Sequence, residues 1–154
     1  MSAIELRPGT RADRAFVEEL GKRTVPDSVS AHRDHSPAML EVGFERLLLF
    51  VYEQPHELLI AERNGKPAGF VLILTTLPDE VTLMPQAFIA YMAVEPRERK
   101  RGVGARLLQA AEDAARRQGL PHMALMVTEE NAGARNLYEA NGYTTERRLL
   151  CKTL

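Results

Sequence analysis

Asn64-Gly65 stands between two apolar, β-compatible runs, Glu57–Glu62 and Lys66–Leu74, with Arg63 completing the join. Asn-Gly is the strongest short-range hairpin signal, because a two-residue turn that matches strand twist needs positive φ at both central positions. The middle of the chain is thereby committed to antiparallel sheet. The flanking segments follow a different period. Leu40, Phe44, Leu47, Leu48 and Val51 recur at helical spacing behind the start signal Ser36-Pro37, and Pro55 ends that pattern. Earlier, Ile4–Arg7 reads as a short strand broken by Pro8 and Gly9. Thr10 with Asp13 then has the form of a capping box, and Ala12, Phe16 and Leu20 predict a first helix closed by Gly21. The dozen residues 24–35 between these helices are long for a connection and form a candidate lid.

Beyond the hairpin, Ala87–Val94 is a third apolar run bounded by Pro85 and Pro96. Leu107, Leu108, Ala111 and Ala115 mark one face of a helix that Gly119 closes. A strand is expected over His122–Val127, a short helix from the Asn131 cap through Ala140, and a last strand from Tyr143. The order β-α-α-β-β-β-α-β-α-β predicts an α+β fold, one central mixed sheet flanked by helices, and 154 residues suffice for a single domain over 1–154.

Composition narrows the function. Apolar residues at 45% and charged residues at 27% are the mix of a globular chain, not a disordered one. No apolar run approaches the roughly twenty residues of a membrane-spanning helix. The N-terminus shows no basic start followed by an apolar stretch, so no leader is expected. Cys151 is the only cysteine, which excludes an internal disulfide and a cysteine-cluster zinc site; a reducing cytoplasm and no metal are the expectation. His32 and His35 match no zinc spacing. Net charge is −1, but residues 1–85 hold nine basic against thirteen acidic side chains and residues 86–154 eleven against eight. Such a split suits a protein that meets two ligands of opposite charge better than one that binds nucleic acid.

The basic excess gathers at Arg97, Arg99, Lys100, Arg101 and Arg106, where an apolar strand ending Met92-Ala93-Val94 runs into a loop and Gly102-Val103-Gly104 opens a helix. Glycines admit close backbone approach, and the free amides of a helix N-terminus favour an anion, so a pyrophosphate fits. No Gly-Lys-Ser/Thr closes the loop, and Leu107 replaces the third glycine of a dinucleotide fingerprint. A tight turn with a solvated basic face is the alternative. Downstream, Asn131-x-x-Ala134-x-x-Leu137-Tyr138-x-x-x-Gly142-Tyr143 places Leu137 and Tyr138 one to two turns past the Asn131 cap.

Taken together, Arg99-x-x-Gly102-x-Gly104 after its apolar strand and the Asn131…Leu137-Tyr138 helix resemble the GNAT superfamily of acetyl-CoA-dependent N-acyltransferases. Ile4–Pro8 with Asp13, and Ala68-Gly69-Phe70, resemble that family's opening and third strand. The resemblance implies a sheet whose central strands splay to hold coenzyme A. The amides of Arg101, Gly102, Val103, Gly104 and Ala105, with Arg99 and Lys100, would cradle its pyrophosphate. Met92, Ala93 and Val94 would line the pantetheine arm, with the Met92 amide polarising the thioester carbonyl, and Asn131 would touch the same arm. Tyr138 would protonate the departing thiolate.

The acceptor would be a primary amine, of a small cationic molecule or of a protein, attacking directly in a ternary complex. An alkyl amine is only about 0.1% neutral near pH 7.4, a deficit of roughly 4 kcal/mol, so a base is needed. Where many relatives carry a carboxylate, this chain has Phe88 and Met126. Glu80 is the first candidate, ahead of Asp79, Glu45 and His35. Asp27, Asp34, Glu41, Glu45, Asp79 and Glu80 are expected to form an acidic wall toward the amine. A non-catalytic acyl-CoA-binding domain of the same fold is the alternative. Acetyl-CoA and the amine are the expected partners, with no nucleic acid and no membrane, and a homodimer is left open.

Overall fold

The computed structural model describes residues 3–154. The elements follow the order β1 (Ile4–Pro8), α1 (Arg14–Thr24), α2 (Pro37–Glu53), β2 (His56–Arg63), β3 (Lys66–Leu74), β4 (Ala87–Val94), α3 (Val103–Arg117), β5 (Met123–Leu125) and α4 (Ala132–Ala140), with short 3-10 turns at Arg11–Asp13, Val25–Ser28 and Pro96–Glu98. The hairpin forms as the sequence requires: Arg63 pairs with Lys66, and Asn64 and Gly65 hold φ of 55° and 72°. Spatial order equals chain order, β1-β2-β3-β4-β5; the first three pairings are antiparallel and β4–β5 is parallel.

Two apolar layers lie on opposite faces of this sheet. On one, Leu59, Ala61, Val71, Ile73, Ala87 and Ile89 meet Val103, Leu107, Leu108 and Ala111 of α3, with Leu137 and Tyr138 of α4 beside them. On the other, Ile60, Phe70, Leu72 and Ala93 meet Val17 and Leu20 of α1 and Phe44, Leu48 and Val51 of α2. β3 is buried on both faces from Ala68 to Leu74, which is why its sequence is a continuous apolar run rather than an alternation. Among the described residues no helix is long and apolar enough to cross a membrane.

Three sequence expectations are corrected. Gly21 does not close α1, which runs on to Thr24; it is buried, and a Cβ there would lie 1.9 Å from Phe44 Cζ. The glycine answers the close packing of α1 on α2, a tertiary demand that imitates a stop signal. The strand expected over His122–Val127 pairs only at Met123–Leu125, its last partner being Ile89, just before β4 bulges at Ala90. No strand forms from Tyr143: the tail lies outside the sheet, with Leu149, Leu150 and Leu154 exposed, although its composition suits a strand. A strand needs a partner edge as well as a composition.

Candidate active site

The site begins with an irregularity in β4. In its pairing with β3, Leu72 faces Tyr91 and Ile73 faces Ile89, so Ala90 is an unpaired extra residue, a β-bulge. Its effect is visible on either side. The Ala87 amide donates to His122 O, toward β5, whereas the Glu95 amide donates to Ala68 O, toward β3. Residues eight apart in an unbroken strand would aim their amides the same way; the bulge reverses the phase. The amides of Met92 and Val94 therefore face the β5 side, where β5 has already ended its pairing at Leu125. The result is a wedge between two parallel strands, edged by unpaired backbone groups of β4.

At the end of β4 the chain enters the basic loop. Lys100 holds φ of 60° and Gly102 of 87°, a left-handed stretch that is unfavourable for lysine and natural for glycine. Among the described residues, the first α3 amide with a partner within the chain is that of Arg106, which donates to Gly102 O. The amides of Val103, Gly104 and Ala105 precede it and are the orphan donors of a helix N-terminus. Beneath the loop Glu98, only 4% exposed, accepts from Arg63 Nε at 2.9 Å and from Arg101 at 3.0 Å, and so clamps the loop to the hairpin. Glu95 is buried likewise and accepts from Arg23 at 2.8 Å. The basic residues are thus unequal. Arg101 rests on Glu98, Arg97 lies 3.7 Å from Glu95 and Arg99 3.5 Å from Asp27, while Lys100 and Arg106 have no ion pair among the described residues.

The two sequence motifs meet at Gly104. A Cβ there would stand 2.8 Å from Leu137 Cδ2, so the glycine lets α4 settle on the start of α3. Asn131 caps α4 by accepting the Ala134 amide at 3.2 Å, which places its side chain in a structural bond. Tyr138 then packs against the α3 layer and edge-on to Tyr143 at 5.9 Å. Burial pushes its phenol above the ordinary range, so Tyr138 is a neutral O–H donor near pH 7.

On the α1 face of the sheet, residues 24–31 border the wedge. The Thr24 hydroxyl meets Tyr91 Oη at 2.8 Å, Thr128 Oγ1 donates to Ser28 O, and the Ala31 amide donates to Glu130 at 3.0 Å. The segment read as a lid is therefore fastened to both β4 and the β5–α4 connection. The expected acidic wall is divided among separate ion pairs. Glu45 is bound to Lys22, Asp27 to Arg99, and Asp79 and Glu80 to Arg147, while Asp34 and Glu41 are exposed. Glu80 itself has a side chain 80% exposed, 2.7 Å from Arg147. Tyr91, Thr24 and Glu98 were not among the candidates; a lone polar-tipped residue within the β4 apolar run was the available signal for Tyr91.

Residues 18–143 match the model of the acetyltransferase (GNAT) family. The chain belongs to the GNAT acetyltransferase family. It is 38% identical over 86 residues to an uncharacterised N-acetyltransferase, YhfO, of Bacillus subtilis, a match covering 56% of this chain and 57% of that protein. It is 34% identical over 82 residues to the peptidyl-lysine N-acetyltransferase YiaC of Escherichia coli, covering 53% and 46%. The matched region spans about half the length of these curated relatives. A solved structure of the aminoglycoside acetyltransferase AAC(6')-Iy with a CoA-based bisubstrate analogue shares the fold, with a TM-score of 0.72 at 24% identity over 99% of each chain. The orphan amides at Val103–Ala105, the left-handed turn and the wedge edged by Met92 and Val94 fit such a GNAT cosubstrate, which combines a pyrophosphate with an extended, hydrogen-bonding arm.

Proposed function

We propose that this protein transfers an acetyl group from acetyl-CoA to a primary amine, directly and without an acyl-enzyme. The observation that carries this reading is the convergence of three features on one wedge: the amides at the start of α3, the outward amides of Met92 and Val94, and the neutral hydroxyl of Tyr138. Acetyl-CoA supplies the acetyl group as a thioester. The Val103, Gly104 and Ala105 amides, with Lys100, Arg99 and Arg101 around them, hold its phosphates. The Met92 amide donates to the thioester oxygen as negative charge gathers there, and needs no reorganisation because β4 already holds it. The Tyr138 hydroxyl gives its proton to the sulfur as it leaves.

Cys151, the one cysteine of the sequence, lies in the tail beyond α4 and outside both motifs. For removal of the amine's proton, Glu80 is the residue we assign, acting through water from the exposed loop before β4; Glu80→Gln should lower turnover and leave CoA affinity unchanged. The acceptor is a lysyl side chain or a small cationic amine, the first suggested by the relation to a peptidyl-lysine enzyme.

Thermal unfolding with acetyl-CoA, run beside thiol release over lysyl peptides, polyamines and amino sugars, tests the proposal. Ligand at 100 times its Kd adds about 2.7 kcal/mol of stability. Stabilisation with thiol release is the expected result; absence of stabilisation overturns the reading.

A further inference from the structure

Apart from Glu80, which is assigned to reach the amine only through water, the groups assigned at the reacting centre are donors, the Met92 N–H and the Tyr138 O–H, and the incoming amine is a donor too. A direct acceptor is missing, and the hydrogen-bond pattern of Thr24 supplies one. We propose that the Tyr91 hydroxyl accepts a hydrogen bond from the acceptor amine and orients it for attack, and that Thr24 is the positioning residue that fixes Tyr91 in that sense. The proposal rests on the acetyltransferase reading above.

The sense of the bond follows from counting hydrogens. Thr24 Oγ1 lies 2.9 Å from Leu20 O and 3.2 Å from Gly21 O, and carbonyl oxygens cannot donate. The single hydroxyl hydrogen of Thr24 is therefore spent inside α1, in the back-bond common for threonine in helices. The same Oγ1 lies 2.8 Å from Tyr91 Oη, so Tyr91 must be the donor in that contact. With its only hydrogen turned into α1, Tyr91 Oη presents lone pairs.

The position of Tyr91 is set as firmly as its polarity. The bulge at Ala90 places the Tyr91 side chain on the α1 face, where its ring meets Phe44 at 4.9 Å and Phe70 at 6.0 Å. Its neighbour in sequence is Met92, whose amide faces the wedge. It retains partial exposure. The phosphate loop leads to α3 on one face of the sheet and Tyr91 stands on the other, so an amine that comes from the α1 face meets Tyr91. An acceptor fixed there aims the nitrogen lone pair at the carbonyl by holding one N–H.

The test uses binding, so it does not depend on the natural acceptor. Two bisubstrate probes are compared on the full chain: the propylamide of S-carboxymethyl-CoA, which keeps an N–H, and its N-methyl counterpart, which lacks one. Wild type should prefer the N–H probe by about three- to tenfold beyond any preference of Tyr91→Phe, the scale of one neutral hydrogen bond. Thr24→Val, whose loss frees the Tyr91 proton to turn outward, should reduce that preference, and Thr24→Ser should restore it. Plain CoA affinity, unchanged in all three variants, certifies the fold. An equal preference in wild type and Tyr91→Phe, with CoA still bound, overturns the role of Tyr91 and leaves the acetyltransferase reading intact. Failure of wild type to bind either probe or CoA overturns both.

Discussion

Tyr138 and Glu98 show how differently burial acts on single residues. Around Tyr138 it removes water from the phenol, so the proton stays on. Tyr138→Phe keeps the ring and deletes the proton: thiol release should fall by about 100-fold, with CoA affinity within a factor of two. An unchanged rate would remove Tyr138 from the chemistry and favour an acyl-CoA-binding domain without turnover. At Glu98 burial is tolerated only because two guanidinium groups compensate the charge. Glu98→Gln should lower unfolding stability by about 2–3 kcal/mol and weaken CoA binding as the loop loosens, measured by urea titration and calorimetry.

Between elements the glycines carry the coupling. Gly102 serves its own φ, but Gly104 serves α4, whose Leu137 occupies the space a Cβ would take. Gly104→Ala should therefore displace α4 and with it Tyr138, lowering stability by about 1–2 kcal/mol and turnover together. Adding Leu137→Ala opens the same space, so the double variant should be less impaired than the sum of the singles, a coupling read from a double-mutant cycle. Strict additivity would show that the two helices do not share that contact. The Ala90 bulge is the other element-scale device. One extra residue turns two amides outward and one tyrosine inward, and it lies within a run of eight apolar residues where no sequence period marks it.

At the scale of the whole molecule, the sheet is tied to the helical layer by Asp13. Its carboxylate accepts from Arg7 on β1 at 2.8 Å and from the Thr10 amide at 2.7 Å. The Arg7 hydrogen bond chiefly holds the Asp13 carboxyl below the usual carboxylate range. A depressed folded-state pKa contributes stability above the unfolded value, and that contribution is lost as pH falls through the folded one. Asp13→Asn should cost about 1–2 kcal/mol at pH 7, moderated by the partial exposure of Arg7. Between pH 5 and 3 the variant should lose less stability than wild type, as seen in urea titrations at each pH.

The hairpin, the start and length of α2, the extents of β3 and β4, and the glycine-rich entry to α3 are legible in the sequence because local chemistry sets them: turn φ values, caps and periodicity act within a few residues. What the tertiary structure alone decided has partners far away in the chain. Gly21 is explained by Phe44, Glu98 by Arg63, the polarity of Tyr91 by Thr24, and the idle tail by an edge that it does not join. A single sequence records which groups a residue carries; it does not record which distant group will take its one hydrogen or fill the space beside it.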